Sequence, residues 1–254
     1  MTKELNINYK DYLKEIYNEP AKIHKSYSMF HNYSYNNQIL AMTQLLEIEP
    51  INSFNGWKKL GRNVKKGSKA ISLYLPIVKK IEDKNDKEKI VTKTNFIMRK
   101  HWFSLSQTEG KDFKIESSPE FCLEDALKIL NIEQESFKIL NGNCQGYAIP
   151  NERKIAINPV AYNPFKTAIH EIAHCLLHED KNLIIDGKAL DKSIMEFEAE
   201  TTAYLVCSSL GKLEGLEYSR GYISNWINQD DIKEENFKRS FATANQILKA
   251  GARS

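Results

Sequence analysis

The chain has 254 residues, 41% hydrophobic and 27% charged, an ordinary soluble composition with room for one large domain or two smaller ones. No run approaches the roughly 18 apolar residues of a membrane span. The start, Met1-Thr2-Lys3-Glu4-Leu5-Asn6, has no basic head followed by an apolar stretch, so a cytoplasmic protein without a membrane partner is expected. The net charge of +3 is unevenly spread: Trp57 to Lys100 holds 14 Lys and Arg against 4 acids, and the remainder 22 against 29. That asymmetry predicts a polyanion-binding module joined to a more acidic one.

In chain order, Tyr9 to Tyr17 reads as a helix from the spacing of Tyr9, Tyr12, Leu13, Ile16 and Tyr17. A second helix is predicted from about Ser34 to Leu46. Ile71 to Val78 and Ile90 to Met98 read as strands of a hairpin joined by the charged stretch Glu82 to Glu88. Pro76 places the first of them at an edge or a bulge, because it cannot donate to a ladder. The polar stretch Asp112 to Pro119 is the best domain boundary.

Beyond it, Pro119 to Leu130 is a predicted helix, and Gly146 to Ile149 and Lys154 to Asn158 are short strands. Asn163 caps and Pro164 opens a helix reaching about His178. Further helices are expected over Asp191 to Leu210, Tyr218 to Ile227 and Ile232 to Lys249. The expected fold class is α+β. Residues 1–115 form an α+β domain with a small antiparallel sheet, and residues 116–254 a mainly helical domain with a small sheet. Cys122, Cys144, Cys175 and Cys207 form no C-x-x-C pair and read as free thiols.

The chemistry concentrates in His170-Glu171-Ile172-Ala173-His174. Residues four apart on a helix share a face, so two imidazoles can meet one metal ion while Glu171 reaches a metal-bound water as general base. A catalytic zinc usually needs a third protein ligand. Glu196, Ala199, Glu200 and Ala203 share one face of the next helix, and the two alanines let it pack close. Glu196 is the expected ligand. Glu200 is the alternative, and otherwise the outer hydrogen-bond partner of a ligand histidine. Glu198 is expected to point to solvent. His178 lies a turn beyond the ion and is expected to pack or support. Tyr218 and Tyr222 are expected to be structural, and Lys154 to Asn158 to be an edge strand for an extended peptide. The implied cofactor is Zn2+, and the implied activity that of a zinc metallopeptidase on a protein substrate.

In the N-terminal half, Lys58, Lys59, Arg62, Lys65, Lys66 and Lys69 cluster around Gly61 and Gly67. Tyr27, Phe30, Tyr33, Tyr35 and Trp57 offer rings for stacking, the combination used by single-strand binders. No major-groove reading helix is visible, so strong sequence specificity is not expected.

The C-terminal half resembles the ImmA/IrrE-type zinc peptidases, which join an H-E-x-x-H helix to E-x-x-A-x-x-x-A on the next. The whole chain resembles the ArdC-type antirestriction proteins of conjugative plasmids and phages. The resemblance rests on Tyr33-Ser34-Tyr35-Asn36-Asn37-Gln38-Ile39-Leu40, the block Gly56 to Ile71, Phe103 to Gly110, and Gly221-Tyr222-Ile223-Ser224-Asn225-Trp226. It implies an N-terminal domain that binds single-stranded DNA, with Tyr33, Asn37, Trp57, Lys58, Arg62, Lys65, Lys66 and Lys69 as contacts. It also implies a C-terminal zincin-like metallopeptidase domain.

Overall fold

In the computed structural model, residues 8–82, 90–115, 118–139, 143–180, 184–185, 188–227 and 231–253 are described. The chain forms two compact units. One holds Asn36–Glu116; the other holds Ile7–Tyr35 and Ser117–Ser254. The change near residue 116 falls within the polar stretch marked by the sequence, but a single division at 115 is corrected: Ile7–Tyr35 belongs to the second unit.

The first helices are α1 (Tyr9–Ile16) and α2 (Pro20–Phe30). Asn8 caps α1 by accepting from the Asp11 amide, and Pro20 opens α2. Both join the second unit through apolar contact. Tyr9 and Tyr35 meet Phe241 edge-on, with centroids 5.3 and 5.6 Å apart.

Helix α3 (Tyr35–Gln44) leads into β1 (Ile51–Ser53), α4 (Phe54–Lys59), β2 (Arg62–Val64), β3 (Ile71–Glu82), β4 (Ile90–Ser104) and β5 (Thr108–Gly110). The main sheet of this unit has order β1-β4-β3, both pairings antiparallel, and β2 pairs antiparallel with β5. Pro76 sits on edge strand β3 opposite Phe96, where its missing N–H costs no ladder bond. The charged stretch expected to join β3 and β4 lies, from Asp83 to Lys89, outside the described residues.

The second unit continues with β6 (Glu120–Phe121), α5 (Leu123–Ile129), β7 (Glu133–Glu135), β8 (Gly146–Ile149), β9 (Lys154–Ile157), α6 (Pro164–Leu177), β10 (Ile184–Ile185), β11 (Lys188–Ala189), α7 (Lys192–Ser209), α8 (Leu216–Trp226), α9 (Glu234–Gly251) and β12 (Ala252–Arg253). Helix α5 is shorter than its sequence suggests, because Glu120 and Phe121 instead pair with β12. Helix α7 is the centre of this unit. It packs against α2, α6, α8 and α9, and every residue from Phe197 to Ser209 is buried. A three-stranded sheet, order β7-β9-β8, covers α6. Strand β9 is therefore central, and β8 is the edge strand that the sequence assigned to Lys154 to Asn158.

Candidate metal centre and basic loop

Helix α6 begins at Pro164, with the Asn163 side chain accepting from the Lys166 amide. Ile169, Ile172 and Ala173 are fully buried, which fixes the helix rotation and turns His170 and His174 toward α7. Ala199 and Ala203, also fully buried, let the two helices approach. His170, His174 and Glu196 each offer one ligand atom, and these atoms all lie within 4.8 Å of one another. His170 Nε2 is 3.1 Å from His174 Nε2 and 3.4 Å from Glu196 Oε2, which is 3.8 Å from His174 Nε2.

The outer ring nitrogens decide what those inner atoms carry. His170 Nδ1 is 3.0 Å from Glu200 Oε2, and the other Glu200 oxygen is 2.7 Å from Lys166 Nζ. A carboxylate only accepts, so His170 carries its proton on Nδ1 and turns a lone pair inward. The His170 lone pair, the inner nitrogen of His174 and a Glu196 carboxylate oxygen then converge on one point, an arrangement that suits a proton or a cation between them. This donor set fits a divalent metal of borderline softness. Glu196 is the acid that reaches the shared point, and Glu200 is the acid that holds the His170 ring.

Electrostatics agree with a positive charge there. Burial opposes protonation of His170, but the bonds from Glu196 and Glu200 outweigh it and raise the ring to about 9. The same two histidines hold the Glu196 carboxyl far below the usual range. Glu171 is 8% exposed, and burial pushes its carboxyl up, against the pull of His170 and His174. The raised value suits a group that must take and return a proton.

A cleft surrounds these atoms. One lobe, of about 290 Å³, is lined by Cys144, Gln145, Lys166, Thr167 and Glu200. The other, of about 550 Å³, is lined by Tyr147, Ala148, Pro150, His178, Lys192, Met195 and Glu196. Gly146, His170 and Glu171 line both, so the lobes meet at the base and the edge strand β8. A Cβ at Gly146 would lie 2.7 Å from Thr167 Cγ2 and 3.1 Å from Glu171 Oε1, so only glycine lets the strand pass this close.

Glu198 is corrected outright. It is fully buried, with Oε2 3.0 Å from His178 Nε2, while Oε1 accepts from Asn236 Nδ2 at 2.9 Å and Arg239 Nε at 3.0 Å. His178 is itself buried, with Nδ1 2.8 Å from His174 Nδ1, and burial pushes its pKa down. Tyr218 and Tyr222 are not structural core either: they are 64% and 58% exposed, against Tyr162 and Trp226.

In the first unit, Lys58, Lys59, Lys65, Lys66 and Lys69 are exposed around a turn in which Gly67 has φ +88°. The Ser106-Gln107-Thr108 block frames this turn. The Lys65 amide donates to the Gln107 carbonyl at 2.9 Å, and Gln107 Nε2 donates to the Lys69 carbonyl at 2.9 Å.

Three expected DNA contacts are instead structural. Trp57 is fully buried and donates its indole N–H to the Phe103 carbonyl at 2.8 Å. Asn37 is 8% exposed and bonds both backbone groups of Tyr74, at 2.8 and 2.9 Å. The Arg62 guanidinium is spent on Thr108 Oγ1, the Thr108 carbonyl and the Lys111 carbonyl. Tyr33 is half-buried in the other unit, where Tyr27, Phe30 and Tyr35 are core. Among the described residues of the first unit, Phe96, at 67%, and Phe54, at 47% and one helical turn from Lys58, are exposed rings.

Residues 2–109 match the family model described as the N-terminal domain of anti-restriction factor ArdC. An uncharacterized protein of Bacillus anthracis is 26% identical over 97% of this chain, and the chain spans about half (50%) of that relative's length. Among solved structures, the antirestriction protein ArdC from plasmid R388 in its metal-free form superimposes with a TM-score of 0.56 at 16% identity, covering 95% of each chain. Its Mn(II)-bound form gives 0.55 at 16% identity, covering 98% of this chain and 99% of that one. These likenesses extend the shared fold beyond the family match. The likeness to ArdC is therefore one of sequence pattern over residues 2–109 and of fold over nearly the whole chain.

Proposed function

We propose that the protein is an antirestriction-type factor of a mobile element that binds single-stranded DNA without strong sequence specificity and carries a gluzincin-like zinc metallopeptidase centre. The observation that carries this reading is the convergence of His170, His174 and Glu196 beside a buried Glu171, in a chain whose residues 2–109 match the ArdC N-terminal-domain model.

When bound, zinc supplies a Lewis acid that acidifies a water and polarises a carbonyl. His170, His174 and Glu196 are the residues that would hold it. Glu171, with its raised pKa, takes the proton of the attacking water on its carboxylate and returns it to the departing amine. Strand β8 offers its free edge to an extended peptide, which would run through both lobes past Glu171. Lys58, Lys59, Lys65, Lys66 and Lys69 supply the contacts to a phosphate backbone, and Phe54 and Phe96 replace Trp57 as stacking rings. The cleft and free edge favour a second reading, a regulatory endopeptidase that cleaves a protein partner.

The deciding experiment compares wild type with Glu171→Gln in a restricting host receiving unmodified DNA. The variant is expected to keep its metal and lose both proteolysis and protection. Full protection by the variant would remove peptidase chemistry from the antirestriction function.

A further inference from the structure

Helix α7 carries three alternate acids, Glu196, Glu198 and Glu200. Two of them bear on the candidate metal centre directly: Glu196 offers an oxygen to the shared point, and Glu200 holds the outer nitrogen of His170. Glu198 projects from another side of the helix, yet it is the most buried of the three. It ends a chain of ring contacts that begins at the other candidate ligand: His174 Nδ1 to His178 Nδ1 at 2.8 Å, then His178 Nε2 to Glu198 Oε2 at 3.0 Å.

We propose that His178 and Glu198 are positioning residues that fix the tautomer and orientation of His174, so that its Nε2 presents a lone pair to the metal. The proposal rests on the metal-centre reading above.

The hydrogen-bond sense runs one way. Glu198 Oε1 is saturated by Asn236 Nδ2 and Arg239 Nε, and Arg239 is tied to the end of α6 through the Leu177 carbonyl at 2.8 Å. Glu198 Oε2 accepts from Arg239 Nη2 at 3.2 Å and has a further lone pair for His178, so His178 carries its proton on Nε2. Its Nδ1 is then an acceptor, and among the described residues His174 faces it as donor. His174 must therefore carry its proton on Nδ1. With the carboxylate in place, every donor in the chain meets an acceptor, and the inner nitrogen of His174 is left bare.

Glu198→Gln inverts this logic while nearly preserving shape. The new amide keeps its oxygen toward Asn236 Nδ2 and Arg239 Nε, which donate two bonds there, gives up the bond from Arg239 Nη2, and turns its NH2 toward His178. His178 must then accept on Nε2 and donate from Nδ1. His174 is forced to accept on Nδ1 and to carry its proton on Nε2, where the metal would sit.

The test measures zinc affinity of the full-length protein by competition with a chelator, alongside circular dichroism. It also looks for the scalar coupling between the Nδ1 nitrogens of His174 and His178 in 15N-histidine-labelled, zinc-loaded wild type. Glu198→Gln and His178→Ala are expected to weaken zinc about 10- to 100-fold, as loss of an outer partner does elsewhere. His178→Asn, whose amide oxygen can stand where Nδ1 stood, is expected to recover part of the loss. A coupling between the two rings is expected in wild type. Wild-type affinity in folded Glu198→Gln and His178→Ala would overturn the proposal, as would absence of the coupling, even where a variant fails to fold. His170→Ala separates the two readings: if it empties the site while the other two variants do not, the metal centre stands and the relay falls. If His170→Ala binds zinc as wild type does, both fall.

Discussion

Single residues of the candidate centre are fixed by what their second polar atom does. His170 and His174 both turn Nε2 toward Glu196 Oε2, at 3.4 and 3.8 Å, but have different outer partners, a carboxylate and another histidine. That difference is invisible in the H-E-x-x-H pattern, which is local. Glu171 and the convergence of the two rings were legible, because a four-residue spacing on a helix dictates a shared face. Glu198 was misread for the opposite reason: a helix wheel assumes one wet face, and α7 is buried on all sides from Phe197 onward. The pKa of His170 gives a prediction at this scale. Its second proton, on Nε2 and held to about 9, occupies the position a metal would take, so binding must release it. Zinc affinity should rise with pH by up to about tenfold per unit until roughly pH 9 and then level off. A competition titration from pH 6 to 9 checks this, and a flat profile would count against the proton sitting there. In the metal-free protein the same shift stabilises the fold below the ordinary histidine range, and that contribution is lost as pH rises through about 9.

At the scale of elements, the helices with clear caps were legible to within a few residues; Asn163-Pro164 opening α6 is the plainest case. Helix α2 escaped notice, because its polar first turns and scattered apolar residues give no clean stripe. The basic loop shows the limit of composition. It correctly marks the exposed lysines, but it cannot tell a ring that stacks bases from one that fills a core. Trp57 is the second kind. Trp57→Ala should therefore cost stability, about 3–5 kcal/mol by chemical denaturation. The pair Lys66→Glu and Lys69→Glu should leave stability nearly unchanged and weaken single-stranded DNA binding, with a shallower salt dependence. Equal stability losses in both, or unaltered DNA binding in the lysine variant, would contradict this division of roles.

The two compact units do not follow the chain's linear order. The stretch Ile7–Tyr35 joins the C-terminal residues because Tyr9, Tyr12 and Tyr35 find Phe241 there, a long-range apolar contact that no local pattern announces. The family match over residues 2–109 therefore crosses both units. No helix among the described residues is long and apolar enough to cross a membrane. At the scale of the whole molecule, His170, His174 and Glu196 are proposed to bind one metal ion. The most direct measurement is the metal content of the full-length protein after zinc loading and desalting, beside His170→Ala. About one zinc per chain is expected in wild type and none in the variant. A well-folded wild type that retains no zinc would contradict that assignment.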